Sequence, residues 1–226
     1  MKALHVHFEG YTASFRRPLI ISGTKITTLP AYSTLLGIIS ACAGRVVRPQ
    51  ETRIGFEFAC SGMDVELERT ERLQLEGGHL KPHAKGQGLG KRQVYLHPRL
   101  DLYVTNCELQ SAFEYPRATP CFGQSQDVAW ITDVVEIELS AVNEGDVGPT
   151  LLPYPQKGIA GLVVSLPDWF DNDVKGRTRL VGAVGKFEAI LPFTTTRYRI
   201  QEENLFHPSD AVRTNDVLYL YDWQRT

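Results

Sequence analysis

Ser33-Thr34-Leu35-Leu36-Gly37-Ile38-Ile39-Ser40-Ala41-Cys42-Ala43-Gly44 is the stretch on which the fold turns. Leu35, Leu36, Ile38, Ile39 and Cys42 recur at helical spacing, so one face of this segment is apolar. Ser33 is a suitable N-cap just after Pro30, and Gly44 is a natural left-handed residue past the C-terminus. Arg45 and Arg48 follow, where the helix dipole favours cations. Upstream, Leu4, Val6 and Phe8 alternate with His5 and His7, the period of a half-buried strand. Downstream, Ile54 to Cys60 and Val65 to Leu75 read as strands joined by Ser61-Gly62-Met63-Asp64, hence a hairpin. The opening order is strand, helix, strand, strand. It suits an α+β chain with a ferredoxin-like, RRM-like sheet, although the aromatic-rich RNP1 octamer of an RNA-recognition motif is missing.

The next stretch interrupts that pattern. Gly77 to Gln93 holds five glycines, one proline and almost no large apolar residue. Too polar to pack, it must project as an exposed loop or arm. Strand-like segments resume at Leu100 to Asn106, Val134 to Leu139, Gly161 to Leu166, Leu180 to Val184, Phe187 to Leu191 and Val217 to Tyr221. Tyr115 to Gln126 is a second loop, and Asn143 to Pro149 is the best linker. The expected organisation is a ferredoxin-like domain over 1–142 with a basic arm at about 76–100, then a small β-rich region over 143–226.

Charge is segregated along the chain. The net charge is −2, yet Gly10 to Gln50 and Gly77 to Leu100 contain no Asp or Glu. Those 65 residues carry ten bases: Arg16, Arg17, Lys25, Arg45, Arg48, Lys81, Lys85, Lys91, Arg92 and Arg99. The remainder carries all 26 acids and 14 bases. A polyanion-binding surface on an acidic body has this distribution. The four cysteines show no CxxC pairing, so reduced thiols in a cytoplasmic protein are expected, with no metal and no cofactor. No apolar run approaches a membrane span, and the polar-apolar alternation at the N-terminus does not resemble a signal peptide.

Several of these residues together resemble a known family. Lys2-Ala3-Leu4 leading into Gly10-Tyr11-Thr12-Ala13-Ser14-Phe15-Arg16, followed by Thr28-Leu29-Pro30 and the Ser33–Ile39 run, resembles the N-terminal signature of CRISPR-associated protein 5. That family belongs to the RAMP superfamily and supplies a subunit of type I Cascade complexes. Lys91-Arg92-Gln93-Val94, the His97-Pro98 turn and Leu102-Tyr103-Val104 resemble the segment after its thumb. Pro120 to Asp127 resembles its Leu-Gly-Arg-Ser-Glu-type loop, with Gln124 where arginine is common and Gln126 where a carboxylate is common. The resemblance covers the first 130 residues and is closest to the type I-B branch. It implies a ferredoxin-like domain with a long β-hairpin thumb that caps the 5′ handle of the crRNA. It also implies contact with a Cascade backbone subunit and the large subunit, and with target DNA only indirectly.

Single-stranded RNA needs cations for phosphates and flat or polar groups for bases. Lys81, His83, Lys85, Lys91, Arg92 and Gln93 supply these on the arm, while Arg16, Arg17 and Lys25 would line the opposite wall. Ser33 at the helix N-terminus, Arg45 after its C-terminus and Gln124 in the later loop complete the expected RNA-binding set. Tyr11, Phe15 and Tyr32 are available for base stacking or for the core. The alternative function is a metal-independent endoribonuclease, as in the type I-C branch, drawing on His79, His83, Lys85, Tyr95 and His97. The adjacent Lys-His pair of that activity is lacking, and the loop histidines lie on a poor platform for positioned acid–base work. A small-molecule enzyme would need convergent carboxylates, and the acids avoid both glycine-rich regions.

Overall fold

The structure is a computed structural model that describes residues 1–16, 27–171, 180–193 and 195–223, with Lys85 described by its backbone alone. Arg17, Lys25 and the Lys85 side chain, three of the expected RNA ligands, therefore lie outside the described residues. In chain order the elements are β1 (Lys2–Gly10), β2 (Thr12–Ala13), α1 (Tyr32–Ala43), β3 (Ile54–Ala59), β4 (Gly62–Glu76), β5 (His79–Leu96), β6 (Arg99–Val104) and α2 (Gln110–Glu114). They continue with β7 (Ala129–Val147), β8 (Leu151–Pro153), β9 (Leu162–Asp171), β10 (Leu180–Ala189), β11 (Tyr198–Pro208) and β12 (Leu218–Tyr219). The chain is α+β and rich in strand.

The central sheet has the order β12-β11-β7-β1-β6-β3. Its three middle-to-edge strands share rungs: Leu4, Val104 and Ile54; Val6, Leu102 and Phe56; Phe8, Leu100 and Phe58. All nine side chains are buried, because the period of two sends them to one face. The alternate rungs, His5–Tyr103–Gly55 and His7–Asp101–Glu57, occupy the other face. Helix α1 contributes Leu35, Leu36, Ile38, Ile39 and Cys42 to the same core, as its spacing requires. The core continues into the second half of the chain: the Tyr32 ring stacks on Tyr221 with centroids 4.1 Å apart, and Tyr32 donates to the Leu151 carbonyl at 2.8 Å.

Three expectations need correction. Ser33 does not cap α1: the cap residue is Ala31, without a side-chain bond, and the Ser33 hydroxyl donates to the Pro167 carbonyl at 2.7 Å. The helix begins two residues earlier, and Tyr32 belongs to its buried face. Ile54–Ala59 and the following strand are not a hairpin. Strand β3 pairs with β6, whereas β4 pairs with β5 around Gly77-Gly78. Those two glycines have φ of 58° and 80°, the paired left-handed conformation that a two-residue hairpin turn requires. Finally, the polar residues Asn143 to Val147 are no linker; they extend β7, which pairs with β11. The region after residue 143 thus adds β11 and β12 to the same sheet and forms a second sheet, β8-β10-β9.

Burial has a chemical consequence at Cys42, whose thiol is pushed up to about 11 by desolvation. Only about one Cys42 in a thousand is then a thiolate at pH 8. Alkylation of the native chain at that pH should modify Cys60, Cys107 and Cys121 well before Cys42, with the difference vanishing in denaturant. Early labelling of Cys42, read by peptide mass mapping, would contradict this packing.

Candidate nucleic-acid interface

The acid-free stretch Gly77 to Gln93 is the turn and most of the second arm of a hairpin of 15- and 18-residue strands. Its side chains are too polar and too small to pack, so the arm stands away from the core with Leu67, Leu73, Leu75, Leu80 and Leu89 exposed. Pairing changes the electrostatics that the linear order suggests. The opposing strand β4 carries Asp64, Glu66, Glu68, Glu71 and Glu76. Lys81 lies across from Gln74, and its ammonium is 3.4 Å from Glu76. Lys91 lies across from Leu67 and is exposed. With Arg69 and Arg72 also on β4, the hairpin is nearly balanced in charge.

Arg92 has a different role from its neighbours. Its side chain is 4% exposed; Nη1 donates to Asp127 Oδ2 at 2.9 Å and Nη2 to Glu66 Oε2 at 2.7 Å. Asp127 is wholly buried and also accepts from the Thr12 hydroxyl at 2.7 Å. Desolvation opposes the guanidinium charge, but the two carboxylates outweigh it and hold Arg92 more firmly protonated. Arg92 is consumed in anchoring the arm and presents no donor to a phosphate.

The other expected residues fall into two groups. Gln93 accepts from the Thr27 amide at 3.2 Å, and Thr27 forms a bridge with Arg16, so these two residues of the first basic window adjoin the base of the hairpin. Gln124 joins them through the 120–127 loop: Asp127 N donates to its carbonyl at 3.0 Å, and Gln126 donates to its side chain at 2.7 Å. That loop presses on Ser14 so closely that a Cβ at Gly123, whose φ is +112°, would fall 2.0 Å from the Ser14 carbonyl oxygen. Ser33 and Arg45 instead line a separate cleft between α1 and Trp169, and Arg45 pairs with Glu51 at 2.7 Å. His83 lies in the irregular part of β5, away from the base.

The nuclease candidates do not converge. His79 flanks the hairpin turn and His97 follows the far end of β5, which at about 3.3 Å per residue separates them by tens of ångströms. Tyr95 is buried, and desolvation carries its phenol far above the usual range.

Two features escaped the sequence reading. Tyr11 and Trp130, ring centroids 5.0 Å apart, are exposed beside His97 and Arg99 at the thumb root. Tyr11 was expected as one of three stacking candidates, but Trp130 sits at the start of a strand longer than its apolar pattern showed. The second is the face bearing His5, His7, Asp101 and Asp210. His5 is buried, stacks on Tyr103 at 4.1 Å and approaches Asp210 at 2.5 Å and Asp101 at 3.3 Å. His7 contacts the same Asp101 oxygen. The hydrogen bond to Asp101 raises the His7 pKa despite partial burial, and desolvation of Asp101 is overcome by the two histidines, which hold it below the carboxylate range. The His-x-His alternation on β1 was the available signal.

No family model matches the chain, and no curated protein matches it. Solved structures do. One described as "CRISPR RNA-guided surveillance complex" aligns with a TM-score of 0.53 at 15% identity, covering 98% of this chain and 96% of its own. The two chains share a fold. A CRISPR protein from Archaeoglobus fulgidus aligns at a TM-score of 0.49 and 10% identity over 96% and 98% of the two chains. Another, described as a Cas protein, aligns at 0.39 and 14% over 89% and 94%. Among the described residues, no helix is long and apolar enough to cross a membrane.

The anchoring assignment separates two neighbours on one strand. Arg92→Ala leaves Asp127 buried and unpaired, and should cost about 3–5 kcal/mol in denaturant unfolding. Lys91→Ala, on the surface, should stay within about 0.5 kcal/mol. Equal effects would remove the anchor.

Proposed function

We propose that this chain is a non-catalytic, cytoplasmic subunit of a type I CRISPR Cascade complex, related to CRISPR-associated protein 5, that binds and caps the 5′ handle of the crRNA. The observation that carries the reading is a hairpin thumb rooted, by the buried Arg92–Asp127 pair, beside Arg16 and Thr27 of the first basic window. The shared fold with a protein of an RNA-guided surveillance complex supports it. So does the succession of β1, α1, β3, β6, α2 and β7 with sheet order β7-β1-β6-β3, the order a ferredoxin-like reading calls for. The backbone and large subunits are its partners, with target DNA reached through them.

The handle lies along the hairpin, from its base toward the Gly77-Gly78 turn. Lys81, Lys85 and Lys91 meet phosphates, Gln93, Gln124 and Arg16 frame the path, and Tyr11 with Trp130 offers a surface on which a splayed base stacks. With Arg92 buried in its ion pairs, three hairpin lysines are left for the phosphates, Lys81 by giving up its exposed contact with Glu76, and at about −0.7 per contact on single strands they contribute a log–log salt slope near −2. Affinity for a synthetic 5′-handle RNA measured across a salt series should lose that increment when Lys81, Lys85 and Lys91 are replaced by alanine. An unchanged affinity and slope would overturn the thumb as the RNA ligand. The nuclease reading is tested by incubating the chain with repeat RNA in chelator: intact RNA is expected, and cutting at one phosphodiester would replace the capping role with a processing one.

A further inference from the structure

We propose that His5, His7 and Asp101 form a binding site for a divalent transition-metal ion, with Asp210 orienting His5. The site lies on the sheet face opposite α1 and is independent of RNA binding. An H-x-H pair on a strand sends both imidazoles to one face, and the register then places Asp101 directly across from His7 on β6. The three ligand atoms lie within 4.8 Å of one another. A tetrahedral zinc ion with bonds of about 2.0–2.1 Å separates its ligand atoms by about 3.4 Å, so small side-chain shifts complete the shell.

The surroundings are built as metal sites are. Asp210 Oδ2 lies 2.5 Å from His5 Nδ1; accepting that proton leaves the Nε2 lone pair aimed at Asp101, the carboxylate–histidine–metal arrangement. Tyr103 stacks on His5 and fixes its plane. The β1–β7 register shifts between His7 and Phe8, a bulge of the kind that re-aims a side chain. Both nitrogens of His5 face carboxylate oxygens, and a metal ion in place of the Nε2 proton satisfies His5, His7 and Asp101 together. Two imidazoles and one carboxylate match zinc, cobalt or nickel better than calcium or magnesium. Three protein ligands leave a coordination position open toward a cleft of about 590 Å³ that Thr195, Thr196 and Arg213 also line.

The test is titration of the full chain with Zn²⁺ against a chromophoric chelator, paired with Co²⁺ absorption spectra. One ion per chain at micromolar affinity or tighter is expected, with d–d bands and no thiolate charge-transfer band. His7→Gln and Asp101→Asn should each weaken binding at least 100-fold, and Asp210→Asn about 10–100-fold, with circular dichroism reporting the fold of each variant. His7 is partly exposed, so its replacement leaves the core intact. Absence of binding at 100 µM Zn²⁺, a thiolate band, or affinity unmoved in folded His7→Gln would overturn the site.

Discussion

The ion pair between Arg92 and Asp127 is the constraint on which the architecture rests. A wholly buried carboxylate is tolerable only when its oxygens are matched, and here a guanidinium and the Thr12 hydroxyl match them. Meeting that demand brings together three stretches distant in sequence: β2, the root of β5, and the loop that ends at Asp127. The loop is held from its other side as well, by Ser14 N donating to the Phe122 carbonyl at 2.9 Å and by the contact at Gly123. A hairpin too polar to pack along its length thereby acquires a fixed base.

Charge along the chain and charge in space differ for a simple reason. A strand's neighbours are chosen by register, so an acid-free strand is basic only if its partner is not acidic. Here β4 carries five carboxylates beside the bases of β5, and Glu66 and Glu76 pair with Arg92 and Lys81. Lys91 is exposed on the arm, and the exposed rings of Tyr11 and Trp130 lie at its root. Recognition on such a surface relies on positioned contacts more than on a broad positive field.

Much of the framework was legible in the residues. The apolar spacing of α1, the alternation of β1 and the left-handed Gly44, at φ 66°, read directly because periodic burial writes itself into sequence. The mistaken pairing of β3 with β4 arose because Ser61-Gly62 resembles a turn, while the true turn at Gly77-Gly78 lies within a glycine-rich arm. Strand β7 was cut short because its side chains on either side of the buried Ile137 and Leu139 are mostly exposed, and an exposed stretch of strand carries no pattern to read. Arg92 was indistinguishable from Lys91 in sequence; only the position of Asp127 separates them. The convergence of His5, His7, Asp101 and Asp210 depends on strand order and on the return of the chain after β11, neither of which a local reading supplies.

The hairpin lies between two strands of the central sheet in the chain while forming a sheet of its own with β2, and this bears on how the chain closes. Strands β3 and β6 are neighbours, with Ala59 opposite Arg99, although some forty residues separate them. Bringing such distant segments together is ordinarily slow, because a long loop must lose its freedom first. Once β4 has zipped onto β5, however, Gly62 is already against Leu96. The gap left for β3 and β6 to cross shrinks to a few residues. The arm that reaches outward in the finished molecule thus serves, during assembly, as a splint that turns a long-range encounter into a local one.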